Sequence, residues 1–216
     1  VTLELTGITV SFNSAPLEWW LSLPIIVVYP LLFGWVSYQT ATKLAEHKRR
    51  LQVMSTRDGM TGVYNRRHWE TMLRNEFDNC RRHNRDATLL IIDIDHFKSI
   101  NDTWGHDVGD EAIVALTRQL QITLRGSDVI GRFGGDEFAV IMSGTPAESA
   151  ITAMLRVREG LNTLRLPNTP QVTLRISVGV APLNPQMSHY REWLKSADLA
   201  LYKAKKAGRN RTEVAA

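Results

Sequence analysis

The sequence predicts an α/β protein of the α+β sandwich kind: a central, mostly antiparallel sheet flanked by helices, preceded by a transmembrane helix and a helical stalk. Three observations predict it. Helical and strand periodicities alternate from Asp58 onward. Two apolar runs flank Gly134-Gly135, a two-residue glycine turn that favours a tight hairpin and so antiparallel pairing. No charged residue occurs from Trp19 to Thr42, a run longer than the about 20 residues that cross a hydrocarbon core.

The segments follow in order. Residues 1–16 are expected outside the cytoplasm, and residues 17–42 across the inner (cytoplasmic) membrane in contact with its lipid. Trp19 and Trp20 near one end, and Trp35 and Tyr38 near the other, are rings suited to the two interfaces. Lys43, Lys48, Arg49 and Arg50 follow at once, and cations beside a spanning helix mark the cytoplasmic side. Pro24, Pro30 and Gly34 interrupt the run, so a buried hairpin of a soluble domain is the alternative. Residues 43–57, without Gly or Pro, read as a helical stalk; Leu44 and Leu51 are one heptad apart, which leaves open both a dimeric seam and a plain connector. No basic stretch precedes an apolar run at the start, so no secretory signal is expected, and further chain is expected before Val1.

Residues 58–213 are expected to form the cytoplasmic domain. Helices are predicted at about 66–84, 106–124, 146–165 and 189–207, and strands at about 87–94, 128–133, 136–142 and 171–181. With 44% hydrophobic and 22% charged residues the 216-residue chain can build a core without staples, and its single cysteine, Cys80, excludes an intrachain disulfide. A net charge of +4 suits a partner bearing phosphates but does not choose among nucleotide, nucleic acid and lipid headgroup. No Walker loop, serine–histidine–acid motif or His/Cys metal cluster is present.

Chemistry concentrates in two acidic elements. Leu89-Leu90-Ile91-Ile92 reads as a buried strand running into Asp93-Ile94-Asp95, and the glycine hairpin is followed at once by Asp136-Glu137. If the hairpin lies beside that strand, Asp93 and Asp136 converge, and two carboxylates that close need a cation between them. Hard oxygen ligands with room for phosphate suit Mg²⁺ or Mn²⁺. On the residues alone, a set of solvated strand-end and turn acids stays open as well.

The run Arg132-Phe133-Gly134-Gly135-Asp136-Glu137-Phe138 resembles the signature of the GGDEF family of diguanylate cyclases. Asp58-Gly59-Met60-Thr61-Gly62 with Asn65-Arg66-Arg67 is similar to the family's first motif. Asp93 through Lys98, Asn101-Asp102, Gly105-His106 and Gly109-Asp110 resemble its nucleotide segment, and Ala204-Lys205 with Gly208-Arg209-Asn210 its last motif. Met60 and Tyr64 depart from the usual aliphatic residues, as conservative packing changes.

The resemblance implies a fold akin to nucleotidyl cyclases and polymerase palms. It also implies condensation of two GTP into cyclic di-GMP with release of two pyrophosphates in a homodimer. No nucleic acid is expected as a partner. Asp93, Asp136 and the Ile94 carbonyl are implied to bind two Mg²⁺ (or Mn²⁺) ions per active site. Asp136 and Glu137 are implied to be catalytic, with Glu137 left open between ligand and general base. Lys98, Lys205 and Arg209 would meet the β- and γ-phosphates, although as bare residues they read as surface charges. His96 and Phe97 belong to the substrate segment. Asn101 and Asp110 would read guanine, as their donors and acceptors allow; without the resemblance, Asp110 reads first as a first-turn helix acid and only second as a binding residue. Arg125, Asp128 and Arg156 would bind cyclic di-GMP as an inhibitor. A module that only senses nucleotide is the competing class, against which the intact hairpin counts; a phosphodiesterase would need a further domain.

Overall fold

The computed structural model describes residues 2–5, 8–11, 27–54, 56–166, 169 and 171–215. The chain divides into two compact units, Val1–Met54 and Ser55–Ala216.

The first unit contains an antiparallel pair, β1 (Thr2–Leu5) and β2 (Ile8–Ser11), and one helix, α1 (Tyr29–Met54). Neither strand is predicted by the sequence pattern of residues 1–16. Helix α1 runs without a break through residue 42, where the sequence pattern separates span from stalk. Pro30 falls in its first turn, where a missing N–H costs nothing. Leu31, Leu32, Phe33, Trp35 and Tyr38 are all exposed. Among the described residues no helix is long and apolar enough to cross a membrane, and residues 17–26 of the expected span lie outside them.

The second unit is a six-stranded sheet of order β3-β5-β6-β4-β7-β8. Its strands are β3 (Tyr64–Asn65), β4 (Ala87–Ile94), β5 (Val129–Gly134), β6 (Glu137–Ser143), β7 (Ile176–Pro182) and β8 (Thr212–Val214). Its helices are α2 (Arg66–His83), α3 (Phe97–Trp104), α4 (His106–Thr123), α5 (Ala147–Thr163) and α6 (Tyr190–Lys206). The central pairs β5–β6, β6–β4 and β4–β7 are antiparallel and the short outer pairs β3–β5 and β7–β8 parallel, so the sheet is mixed with an antiparallel centre.

Every residue of β4 is buried, as its apolar run predicts for a central strand. Side chains alternate across it: Leu90, Ile92 and Ile94 pack with α4 and α5, whereas Leu89 and Ile91 pack with α2 and α6. The strand expected over 171–181 begins only at Ile176. Its partner β4 ends at Ile94, opposite Ile176, so Val172 and Leu174 are buried without pairing. Helix α3 and the short outer strands β3 and β8 escape the periodicity reading because two to eight residues are too few to show a period.

Candidate functional site

Two strand ends meet at the site. Asp93, near the end of β4, lies directly opposite Glu137, the first residue of β6, and the Ile94 N–H donates to the Asp136 carbonyl at 3.4 Å. The hairpin turn falls one residue later than the glycine pair predicts. β5 runs through Gly134, which pairs with Glu137 after a register shift, so Gly135 and Asp136 form the loop. Gly135, at φ 45°, takes the left-handed conformation that glycine favours, and this turns Asp136 out at the tip.

Asp93 is 7% exposed. Burial pushes its carboxyl above the usual range; Lys205 opposes that shift, and the charges of Asp136 and Glu137 add to it. The Lys205 Nζ lies 2.7 Å from Asp93 Oδ2. The structure thus brings together Asp93, Asp136, Glu137 and Lys205, and it seats Lys205 on a carboxylate rather than in open solvent. A further acid on α6, Asp198, senses this group: burial and the Glu137 charge raise its pKa, while Arg66 opposes them. No sequence pattern marks it, since nothing in its spacing ties it to the hairpin.

Asp95 has another task. Buried at 5% exposure, it accepts from Ser177 Oγ at 2.6 Å and from the Asn210 N–H at 2.9 Å, which fastens the turn carrying Arg209 to the sheet. Arg209 itself is exposed at φ 61°, and its N–H donates to the Ala204 carbonyl. The first motif also reaches the hairpin. Asp58 Oδ1 accepts from the Thr61 N–H and hydroxyl and from Arg132 Nη1 at 3.2 Å, and Arg132 donates to the Gly135 carbonyl at 2.8 and 3.1 Å. Burial raises the Asp58 pKa, but the bonds from Thr61 and Arg132 outweigh it and hold the carboxyl below its ordinary value.

The nucleotide segment occupies α3 and α4. His96 is exposed in the left-handed region just before α3, Phe97 packs partly against the core, and Lys98 is exposed. Asn101 Oδ1 is buried and has no hydrogen-bond partner. A Cβ on Gly109 would lie 1.9 Å from that oxygen, so glycine at 109 is what lets α4 close on Asn101. Asp110 is exposed and lines a groove of about 610 Å³ with Val114, Ala115 and Leu164; Asn101 and Lys98 are not part of that groove.

Arg125, Asp128 and Arg156 line one cavity of about 340 Å³, together with Glu148, Ser149 and Thr152. Asp128 closes the turn before β5 by accepting the Arg125 N–H at 2.9 Å through Oδ2, while its Oδ1 is buried without a partner. Burial raises its pKa, and the Arg125 N–H and charge oppose that shift.

The family model described as diguanylate cyclase, GGDEF domain, matches residues 55–211. The chain belongs to the GGDEF family. It is 99% identical over all 216 residues to a probable diguanylate cyclase, DgcC, of Escherichia coli K12, and spans 58% of that relative's length. Among solved structures it is similar to the GGDEF domain of DgcB from Caulobacter crescentus in complex with cyclic di-GMP. The TM-score there is 0.71 at 30% identity, over 74% of this chain and 96% of that one. A second DgcB structure, of the coiled coil and GGDEF domain with cyclic di-GMP, matches with TM-score 0.72 and 29% identity, over 85% of this chain and 99% of that one. Within the GGDEF domain, the Arg132–Asp58 pair, the Asp95 anchor and the Gly109–Asn101 approach are what motif spacing alone leaves unseen.

Proposed function

We propose that the domain condenses two GTP molecules into cyclic di-GMP, releasing two pyrophosphates, as a homodimer in which each subunit offers one nucleotide to the other. The observation that carries this reading is the convergence of Asp93, Asp136 and Glu137 on paired strand ends beside Lys205. These acids and the Ile94 carbonyl form a hard-oxygen donor set; burial is the main cause that raises the Asp93 pKa, and the Asp136 and Glu137 charges that add to it favour a cation. Among the described residues no cluster of three or more His, Cys, Asp or Glu side chains is placed to hold a metal. Mg²⁺ or Mn²⁺ asks for only one or two protein carboxylates, with phosphate oxygens and water completing the shell. Asp93, Asp136 and the Ile94 carbonyl would hold two such ions, which would polarise the α-phosphate and ease ionisation of the attacking 3′-hydroxyl.

The chain's own groups do the rest. Lys205, with Lys98 and Arg209, offers cations to the leaving pyrophosphate. Glu137, exposed at the hairpin, is available to take the 3′-hydroxyl proton or to complete the cation shell. Asn101, with its orphaned oxygen, and Asp110 accept the guanine edge. Arg125, Asp128 and Arg156 receive cyclic di-GMP as an inhibitor, a reading supported by the two similar structures that hold it. Residues 17–42 are proposed to span the inner membrane, placing the domain in the cytoplasm. The exposed apolar side chains Leu31, Leu32, Phe33 and Trp35 of α1 support this, and residues 17–26 of the proposed span lie outside the described residues.

The test is incubation of the purified chain with GTP and Mg²⁺, followed by chromatography. Cyclic di-GMP should form with the metal and vanish with a chelator; none formed with Mg²⁺ present would overturn the reading. Gly109→Ala tests the guanine pocket, since its Cβ must push Asn101 aside. A recognition group displaced from its partner costs about 1–3 kcal/mol, so the affinity for a non-hydrolysable GTP analogue should fall about tenfold in calorimetric titration. Unchanged affinity would remove Asn101 from the pocket.

A further inference from the structure

The 340 Å³ cavity is not the only space beside Asp128. A second cavity, of about 230 Å³, shares Leu124, Arg125 and Asp128 with it and continues to Arg57, Tyr64 and Gln121. Ligand pockets usually measure about 300–1,000 Å³, so the second space is too small to stand alone and reads as an annex of the first. Three features fit a guanine nucleotide there. Asp128, 9% exposed, borders both spaces and carries a buried oxygen without a partner, an acceptor suited to a guanine amide and amine. Arg57 lies with its guanidinium 4.7 Å from the centre of the Tyr64 ring and donates to the Gly62 carbonyl at 2.6 Å, so its plane is held before any ligand arrives. Two arginines, Arg57 and Arg125, face one small space, a charge arrangement that favours phosphate, and a guanidinium plane can also stack on a base.

We propose that Arg57 and Tyr64 form a second wall of the product site, so that cyclic di-GMP bound at Arg125 and Asp128 extends into the annex and is gripped by Arg57. The inference rests on the product-site reading above and adds residues outside the Arg-x-x-Asp motif. It has a consequence for feedback. Gly62 donates to the Asp58 carbonyl, Asp58 holds Arg132, and Arg132 holds the Gly135 carbonyl, so a continuous chain of hydrogen bonds leads from Arg57 to the turn carrying Asp136.

The experiment is calorimetric titration of cyclic di-GMP, and separately of a non-hydrolysable GTP analogue, into the full chain and its Arg57→Ala, Arg57→Lys and Arg125→Ala variants. Loss of a charge-assisted contact should weaken cyclic di-GMP about tenfold in Arg57→Ala, with the GTP analogue unchanged. Arg57→Lys, which keeps a cation but not a plane, should bind cyclic di-GMP more weakly than wild type, and it carries the test if the alanine variant does not fold. Wild-type affinity in the Arg57 variants alongside a weakened Arg125→Ala would overturn the annex alone. Equal weakening of both ligands would overturn it too, as a general disturbance. Wild-type affinity in Arg125→Ala would instead overturn the product site on which the inference rests.

Discussion

Asp136→Ala is expected to lower cyclic di-GMP formation about a thousandfold while leaving the domain folded. The fold tolerates the change because Asp136 contributes to the sheet through its backbone: its carbonyl accepts the Ile94 N–H, and its φ is not among the left-handed ones, so alanine takes the same conformation. A half-exposed turn side chain of this kind usually changes stability by no more than about 0.5 kcal/mol. Catalysis has no such tolerance. Asp93 is buried and already shared with Lys205, so the turn carboxylate is the accessible half of the pair proposed to hold the cations. A cation on the transferring phosphate stabilises the transition state by several kcal/mol, and about 4 kcal/mol corresponds to three orders of magnitude in rate. The Asp93 pKa should also fall toward its ordinary value, because one of the charges that raise it is gone. Turnover measured by chromatography with excess Mn²⁺ checks the point. Wild-type rates would remove Asp136 from the cation site, and an unfolded variant by circular dichroism would contradict the backbone argument.

How far the site can be read from sequence depends on which interaction places each residue. Asp93 is legible because an acid after four apolar strand residues is anomalous, and Asp136 because the glycine pair announces a hairpin. The turn nevertheless falls at Gly135-Asp136, since the register shift between Arg132 and Gly134 and the bonds from Arg132 to the Gly135 carbonyl depend on contacts no local pattern carries. Arg132 meets Asp58 across 74 positions of chain, and Asn210 meets Asp95 across 115, separations at which spacing has no period to follow. The central strands and four long helices are legible because each buries one face at a regular interval. Helix α3 is not, because its stripe of Phe97, Ile100 and Trp104 spans only two turns after a left-handed His96, too short to stand out. The mixed character of the sheet is likewise hidden, since its parallel pairs involve strands of only two and three residues. Asp198 feels the Glu137 charge because α6 packs on the sheet, a tertiary fact with no sequence signal.

Gly179→Ala is expected to destabilise the domain by about 3 kcal/mol and, in the part that stays folded, to disturb the site from a distance. The alternation of β7 sends Ile176, Val178 and Val180 toward α4 and α5, and leaves Ser177, Gly179 and Ala181 facing α6. The facing side of α6 is equally small at Ala197, Ala200 and Ala204, all buried. Helix and strand therefore approach until a Cβ on Gly179 would stand 2.2 Å from the Ala197 carbonyl oxygen and 2.3 Å from the Leu201 nitrogen. Both are backbone atoms, so no rotamer relieves the contact and the helix itself must move. Overpacking of this sort costs about 1–3 kcal/mol, with unyielding backbone at the upper end. For a domain of this size, about 2–4 °C of melting temperature per kcal/mol gives a drop of about 10 °C. The movement reaches the chemistry because Lys205 lies one helical turn beyond Leu201 and its amine is held 2.7 Å from Asp93. Turnover per folded molecule should fall with it. Gly59→Ala is the control, since a Cβ there meets nothing within 4 Å and should leave the melting temperature within about 2 °C of wild type. Equal melting temperatures for Gly179→Ala and wild type would show that α6 does not rest on the strand as closely as these distances require, and the seating of Lys205 on Asp93 would need another cause.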